Sequence, residues 1–417
     1  MKVEQNIQRL KYLLSLLKMS VEELLPIISV GLKTPISKEQ IFTTNIELGY
    51  LKRIDKVFNK GIHYYLDPKS PEISKDASIF FRKSKFDVDL NLGARKIVNH
   101  FEEFKISLSA IAELSDIKFE RQLPIFKISN NPKNVANEIR EIITPEFKDK
   151  PKEYLTELIK NLAEKNILVF EFVETWNKKD KANIDGFFLK PNVIVLKRHQ
   201  ISFKREIFTL AHELGHYLLD EEEIDKIEYD DLANQNLSKI ESWCNDFAYY
   251  FLSGEFEKII EAIDNSNAQN DYNIDLVQSI SEKTHLSRIA IFTKLLLLNK
   301  ISPANYKKVR NEFEEEFRIK NEELKKQREL DKQNGINTGG STPIPIKSPL
   351  LVSTIQTAFY EGVINEYEFC KKLNIKPEKI DSFLYESSNC PVRRSRARRA
   401  CPPSPRPRTR RHPRPAT

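Results

Sequence analysis

Cysteine is scarce in this chain of 417 residues, and the placement of its four cysteines excludes a disulfide-held scaffold. Cys390 and Cys401 sit in a terminal segment of distinct composition. Only Cys244 and Cys370 serve the body, a pattern that fits a reducing compartment. Long apolar runs are lacking as well. The greasiest stretch, Ile289 to Leu298, is broken by Thr293 and Lys294 and is too short to cross a bilayer, so no membrane partner is expected. The opening Met-Lys-Val-Glu-Gln-Asn has no apolar core of signal-peptide length, and a cytoplasmic location is expected. The body also lacks an excess of one charge. Residues 391–417 hold ten Arg and no Asp or Glu, and the other 57 basic residues face 60 acidic ones. The formal net charge of +7 is therefore a property of the tail, and bulk electrostatics give no case for nucleic-acid binding by the body.

What is present is a helix that carries chemistry. His212-Glu213-Leu214-Gly215-His216 sets two imidazoles one helical turn apart with a carboxylate between them. Residues four apart share a helix face, so both histidines can reach one ion. Zinc takes about four ligands in a roughly tetrahedral shell and lowers the pKa of a bound water toward about 7. Glu213 projects where it can take a proton from that water. Ile207, Leu210, Leu214 and Leu218 form an apolar stripe, while Arg205, Thr209, His212 and His216 form another. The histidines are thus expected off the core face.

A catalytic zinc site needs a third protein ligand, and Glu241 is the best candidate. It stands in Ser238-Lys-Ile-Glu-Ser-Trp-Cys-Asn-Asp-Phe-Ala248, where Ser238 and Glu241 also match a capping box. In that role the glutamate only satisfies a backbone amide, so ligand and cap both stay open. The apolar face of this helix would be Ile240, Cys244, Phe247 and Phe251, with small Ala248 allowing close approach to the first helix. Asp220, Glu221, Glu222 and Glu223 are rival ligands, but they follow His216 closely and read as a solvated acidic turn.

Phe208-Thr-Leu-Ala-His-Glu-Leu-Gly-His216 followed by Glu241-Ser-Trp-Cys-Asn-Asp-Phe-Ala248 resembles the ImmA/IrrE family of metallopeptidases. The resemblance implies zinc held by His212, His216 and Glu241, with Glu213 as the catalytic glutamate. It extends over roughly residues 75–310. Ser78-Ile-Phe-Phe-Arg82, Gly186-Phe-Phe, Val193-Ile-Val-Leu196, His285-Leu-Ser-Arg-Ile289 and Ile301-Ser-Pro-Ala-Asn-Tyr306 resemble further family segments. Two departures stand out. Cys244 replaces a more usual alanine, and Phe251-Leu-Ser-Gly254 replaces a common Leu-Met-Pro.

The fold class expected is α+β: a mostly helical, zincin-like domain with a small antiparallel sheet, flanked by helical N- and C-terminal modules. Residues 1–75 read as helical, with an apolar stripe of Ile7, Leu10, Leu13, Leu14 and Leu17 and a Ser20 cap. They vaguely resemble a helix-turn-helix, although no recognition helix stands out, so direct DNA contact is a weak expectation. Residues 76–310 form the peptidase-like domain. Asn166–Val173, Phe187–Leu189 and Val193–Leu196 are its strands, and Asp185-Gly186 is a turn signal. The sheet edge could hold an extended peptide by strand addition. Residues 311–345 are a charged helix and a linker, 346–386 a C-terminal helical module, and 387–417 an Arg/Pro-rich disordered tail.

These readings converge on a zinc-dependent endopeptidase. Asn245, one turn beyond Glu241, could orient a metal ligand, and Tyr217 and His285 could help hold an oxyanion. The resemblance implies a protein substrate, often a DNA-binding repressor whose cleavage switches on stress, mobile-element or phage genes. The alternative is a non-proteolytic, zinc-containing regulator or antitoxin that binds DNA or a partner protein.

Overall fold

The computed structural model describes residues 1–71, 78–82, 89–143, 146–174, 181–198, 202–225, 237–263, 273–336 and 343–388. His199, residues 337–342 of the linker and the Arg/Pro tail with Cys390 and Cys401 lie outside the described residues. The fold is α+β, with helices on both faces of a four-stranded sheet.

Residues 1–71 close around an apolar cluster of their own. Leu10, Leu13, Leu14 and Leu17 are buried with Leu51 and Ile54. Ser20 starts the helix Val21–Ser29 through a reciprocal cap, its Oγ accepting from the Glu23 amide at 3.1 Å while Glu23 accepts from the Ser20 amide at 2.9 Å. A ribbon of β1 (Lys2–Glu4) and β2 (Asn45–Glu47) was not expected. Strands of three residues are too short to show a periodicity.

The main sheet contains β3 (Leu168–Phe172), β4 (Gly186–Leu189), β5 (Val193–Lys197) and β6 (Ile224–Asp225) in the order β3-β5-β4-β6. β4 runs antiparallel to β5 and to β6, but β3 pairs with β5 in parallel, Val169 opposite Ile194. The sheet is mixed rather than wholly antiparallel. The continuous burial of β3 is the mark of a strand covered on both faces, as parallel strands are. Asp185-Gly186 is not a turn, because Gly186 opens β4 opposite Leu196 and Asp225. β6 pairs with β4 at Gly186 and Phe187, so the edges of this sheet are β3 and β6.

Alternation along the strands assigns two cores. Val169, Phe188, Ile194 and Leu196 face the helix Phe203–Leu219, which carries the histidine motif. Phe170, Phe172, Phe187, Leu189, Val193 and Val195 face the helix Leu92–Leu114 and the C-terminal helices Pro349–Tyr360 and Glu366–Leu373. The charged helix Pro303–Gln333 buries only Tyr306 and Val309, both near its start, and its remainder is solvated. Among the described residues no helix is long and apolar enough to cross a membrane.

Candidate metal centre

The motif helix begins at Ser202, whose Oγ accepts from the Arg205 amide, and ends where Asp220 turns into the left-handed region at φ 53°. The Glu221 amide then closes on the His216 carbonyl at 3.0 Å. Every residue from Glu206 to Leu219 is buried. The histidine stripe therefore does not avoid the interior. It faces a second buried partner, the helix Lys239–Ser253, while the apolar stripe faces the sheet.

The two histidines and Glu241 meet between these helices. His212 Nε2 lies 3.1 Å from His216 Nε2, and each nitrogen lies 3.2 Å from a different Glu241 oxygen. Both histidines are fully buried and Glu241 is 6% exposed. Burial pushes the Glu241 carboxyl up, but its contacts with His212 and His216 outweigh this and hold it below the usual carboxylate range. Ser238 does cap the helix, accepting from the Glu241 amide at 3.2 Å, yet the Glu241 carboxylate reaches the imidazoles.

These donors fit a zinc ion. Ligands about 2.0–2.1 Å from a tetrahedral centre stand about 3.3 Å apart, close to the spacing of this trio. The chemistry of the donors agrees. Asn245 Oδ1 lies 2.9 Å from His212 Nδ1 and accepts its proton, which leaves the lone pair of that ring on Nε2. Two imidazole nitrogens and a carboxylate converging in a buried space are donors that could hold a cation. Among the described residues, His212, His216 and Glu241 are the group placed to hold a metal.

Two glycines position this site, and only their structural setting reveals the role. A Cβ on Gly186 would stand 2.6 Å from Thr209 Cγ2 and 2.9 Å from Glu213 Oε1, so β4 passes directly over the motif glutamate. A Cβ on Gly215 would meet Cys244 at 3.2 Å. The two helices thus cross closely at Gly215 on Cys244. A glycine inside a helix costs roughly 1 kcal/mol against alanine, which was the available sign of such packing.

Other candidates lie elsewhere. Tyr217 is in the core, edge-on to Phe188 at 5.7 Å, with the Arg121 guanidinium over its ring at 3.9 Å. His285 ends the helix Ile274–Thr284 in a left-handed conformation, its ring 4.8 Å from those of both Phe147 and Tyr154. Its Nε2 donates to the Lys148 carbonyl at 2.6 Å, and burial pushes its pKa down. Both side chains have packing roles in this arrangement. The acidic turn is only partly solvated, because Glu222 and Glu223 are buried. Arg82 holds both Glu222 oxygens at 2.7 and 2.8 Å and reaches Glu102 at 3.1 Å, which explains the segment Ser78–Arg82.

Residues 163–265 match the family model of the IrrE N-terminal-like domain of peptidase family M78. The chain carries an ImmA/IrrE-family domain. That family is zinc-dependent in general, and the matched segment contains the trio, Glu213, β3, β4 and β5. No curated protein matches the sequence.

Proposed function

We propose that this protein is a zinc-dependent endopeptidase. The observation that carries the reading is the convergence of His212, His216 and Glu241 one residue from a buried Glu213, within a segment that matches the M78 peptidase domain. His212, His216 and Glu241 would hold zinc, which when bound supplies a Lewis acid for polarising a carbonyl and activating water. Glu213 takes the proton of the attacking water on its carboxylate and passes it to the nitrogen of the leaving amine. Asn245 orients His212 through Nδ1, and Gly186 leaves room for the Glu213 side chain.

The substrate we propose is a protein, and a DNA-binding repressor fits the family resemblance best. Two measurements test the reading. Metal analysis of the chain after zinc resupply should find one zinc per chain, lost in His212→Ala. A purified candidate repressor should be cut by the wild type, with a loss of about 10²–10⁴-fold in Glu213→Gln at unchanged zinc content. Equal turnover by both proteins would remove Glu213 from the chemistry. Full zinc loading without cleavage of any repressor supplied would favour the non-proteolytic regulator.

A further inference from the structure

The second face of the sheet holds a feature that the peptidase reading does not use. A cavity of about 1050 Å³ lies between the helix Leu92–Leu114, strand β3 and the C-terminal module. Phe101, Phe104, Phe170 and Leu351 supply apolar wall, and the size is slightly above that of pockets that hold drug-sized ligands, about 300–1,000 Å³.

The polar lining is cationic in effect. Glu171 and Glu368 both border the cavity, but each has work elsewhere. Glu171 accepts from Arg198 at 3.3 Å and from the Ile346 amide at 2.6 Å, and Glu368 caps its helix by accepting from the Asn365 amide at 3.1 Å. The lysines are differently placed. Lys347 Nζ stands over the Phe383 ring at 5.1 Å, and Lys372 Nζ donates to Ser107 Oγ at 2.7 Å. Among the described residues neither these two nor Lys371 makes an ion pair. Burial pushes the Lys347 and Lys372 ammonium groups below the ordinary lysine range; at Lys372 the neighbouring Glu368 opposes the shift and Lys371 adds to it, and an anion near Lys347 would relieve its cost.

A second, independent observation lies beside Lys347. Ser348 is fully buried and borders the cavity, and its hydroxyl has no hydrogen-bond partner. It stands at the cap of the twelve-residue helix Pro349–Tyr360 yet caps nothing. The helix thus starts without a side-chain cap, and such a start favours negative charge nearby.

We propose that this cavity binds a small amphipathic carboxylate, its head drawn to Lys347 and Lys372 and its tail on the phenylalanine wall. An extended peptide adding to β3 is the poorer occupant, because every residue of that strand is buried. The proposal stands apart from the peptidase reading and needs no metal.

Isothermal titration calorimetry on the full chain tests it, with octanoate, octanol, octylammonium and acetate as probes. Octanoate should saturate at one per chain, and the other three should bind more weakly by on the order of tenfold or more. Lys347→Glu and Lys372→Glu should each weaken octanoate by a similar factor. Ala110→Trp adds bulk at an exposed position of the lining and should block binding without disturbing the fold, so it carries the test if a lysine variant misfolds. Failure of octanoate to saturate would overturn the proposal. So would equal affinity for octanol, or unaltered octanoate affinity in Ala110→Trp at an unchanged thermal midpoint.

Discussion

Buried carboxylates collect near both ends of the motif helix, and their counter-charges differ in kind. At the start, Glu206 and Glu171 meet Arg198 at 2.7 and 3.3 Å, with all three side chains no more than 5% exposed. The guanidinium is charged at any working pH and also lies over the Phe203 ring at 4.1 Å. Two turns on, Glu213 is buried and Glu241 stands beside two imidazoles, whose charge depends on protonation. The first cluster contains its own permanent cation and ties β3 and the segment after β5 to the helix. The second points two nitrogen lone pairs and a carboxylate at one space. Burial of acidic groups is common to both, so burial by itself does not mark function. The type of donor does.

The largest effect expected is at the second cluster. Glu241→Gln keeps the helix start but replaces an anionic donor with a neutral amide, so zinc retention should fall markedly and hydrolysis should be nearly abolished. Ser238→Ala should lower stability by about 0.5–2 kcal/mol and leave zinc in place. Metal content and thermal unfolding of the two variants separate the roles, and wild-type zinc in Glu241→Gln would move the third ligand elsewhere. The first cluster should respond in the opposite sense. Arg198→Met leaves two buried carboxylates without their cation and should cost about 3–5 kcal/mol of stability in denaturant unfolding. A loss as small as that of a surface change would show that the cluster does not hold the helix.

Between these extremes stands Gly186. A methyl group there meets Thr209 and Glu213, so Gly186→Ala should cost about 1–3 kcal/mol through overpacking and reduce cleavage while zinc remains bound. Normal turnover in that variant would mean that Glu213 tolerates displacement. The smallest effect is expected at the far end of the chain. Removing residues 389–417 should change neither zinc content nor the thermal midpoint, because this Arg/Pro-rich stretch has almost no apolar side chains to bury.

The sequence by itself determined what is periodic or local. The spacing of His212 and His216 dictated a shared helix face, Ser20 with Glu23 dictated a helix start, and the apolar strand runs dictated a small sheet. It left Glu241 divided between cap and ligand, since a glutamate three residues after a serine fits the cap and is equally able to ligate a metal. Only the tertiary structure shows a second helix brought against the first so that the Glu241 carboxylate reaches both imidazoles. The same holds for Gly186, Gly215, Arg82 and Arg198, whose partners lie on other elements. It holds equally for Tyr217 and His285, which the packing placed against aromatic rings. Periodicity tells which way a side chain faces along its own element. What it meets there depends on contacts between residues distant in the chain, which no local pattern encodes.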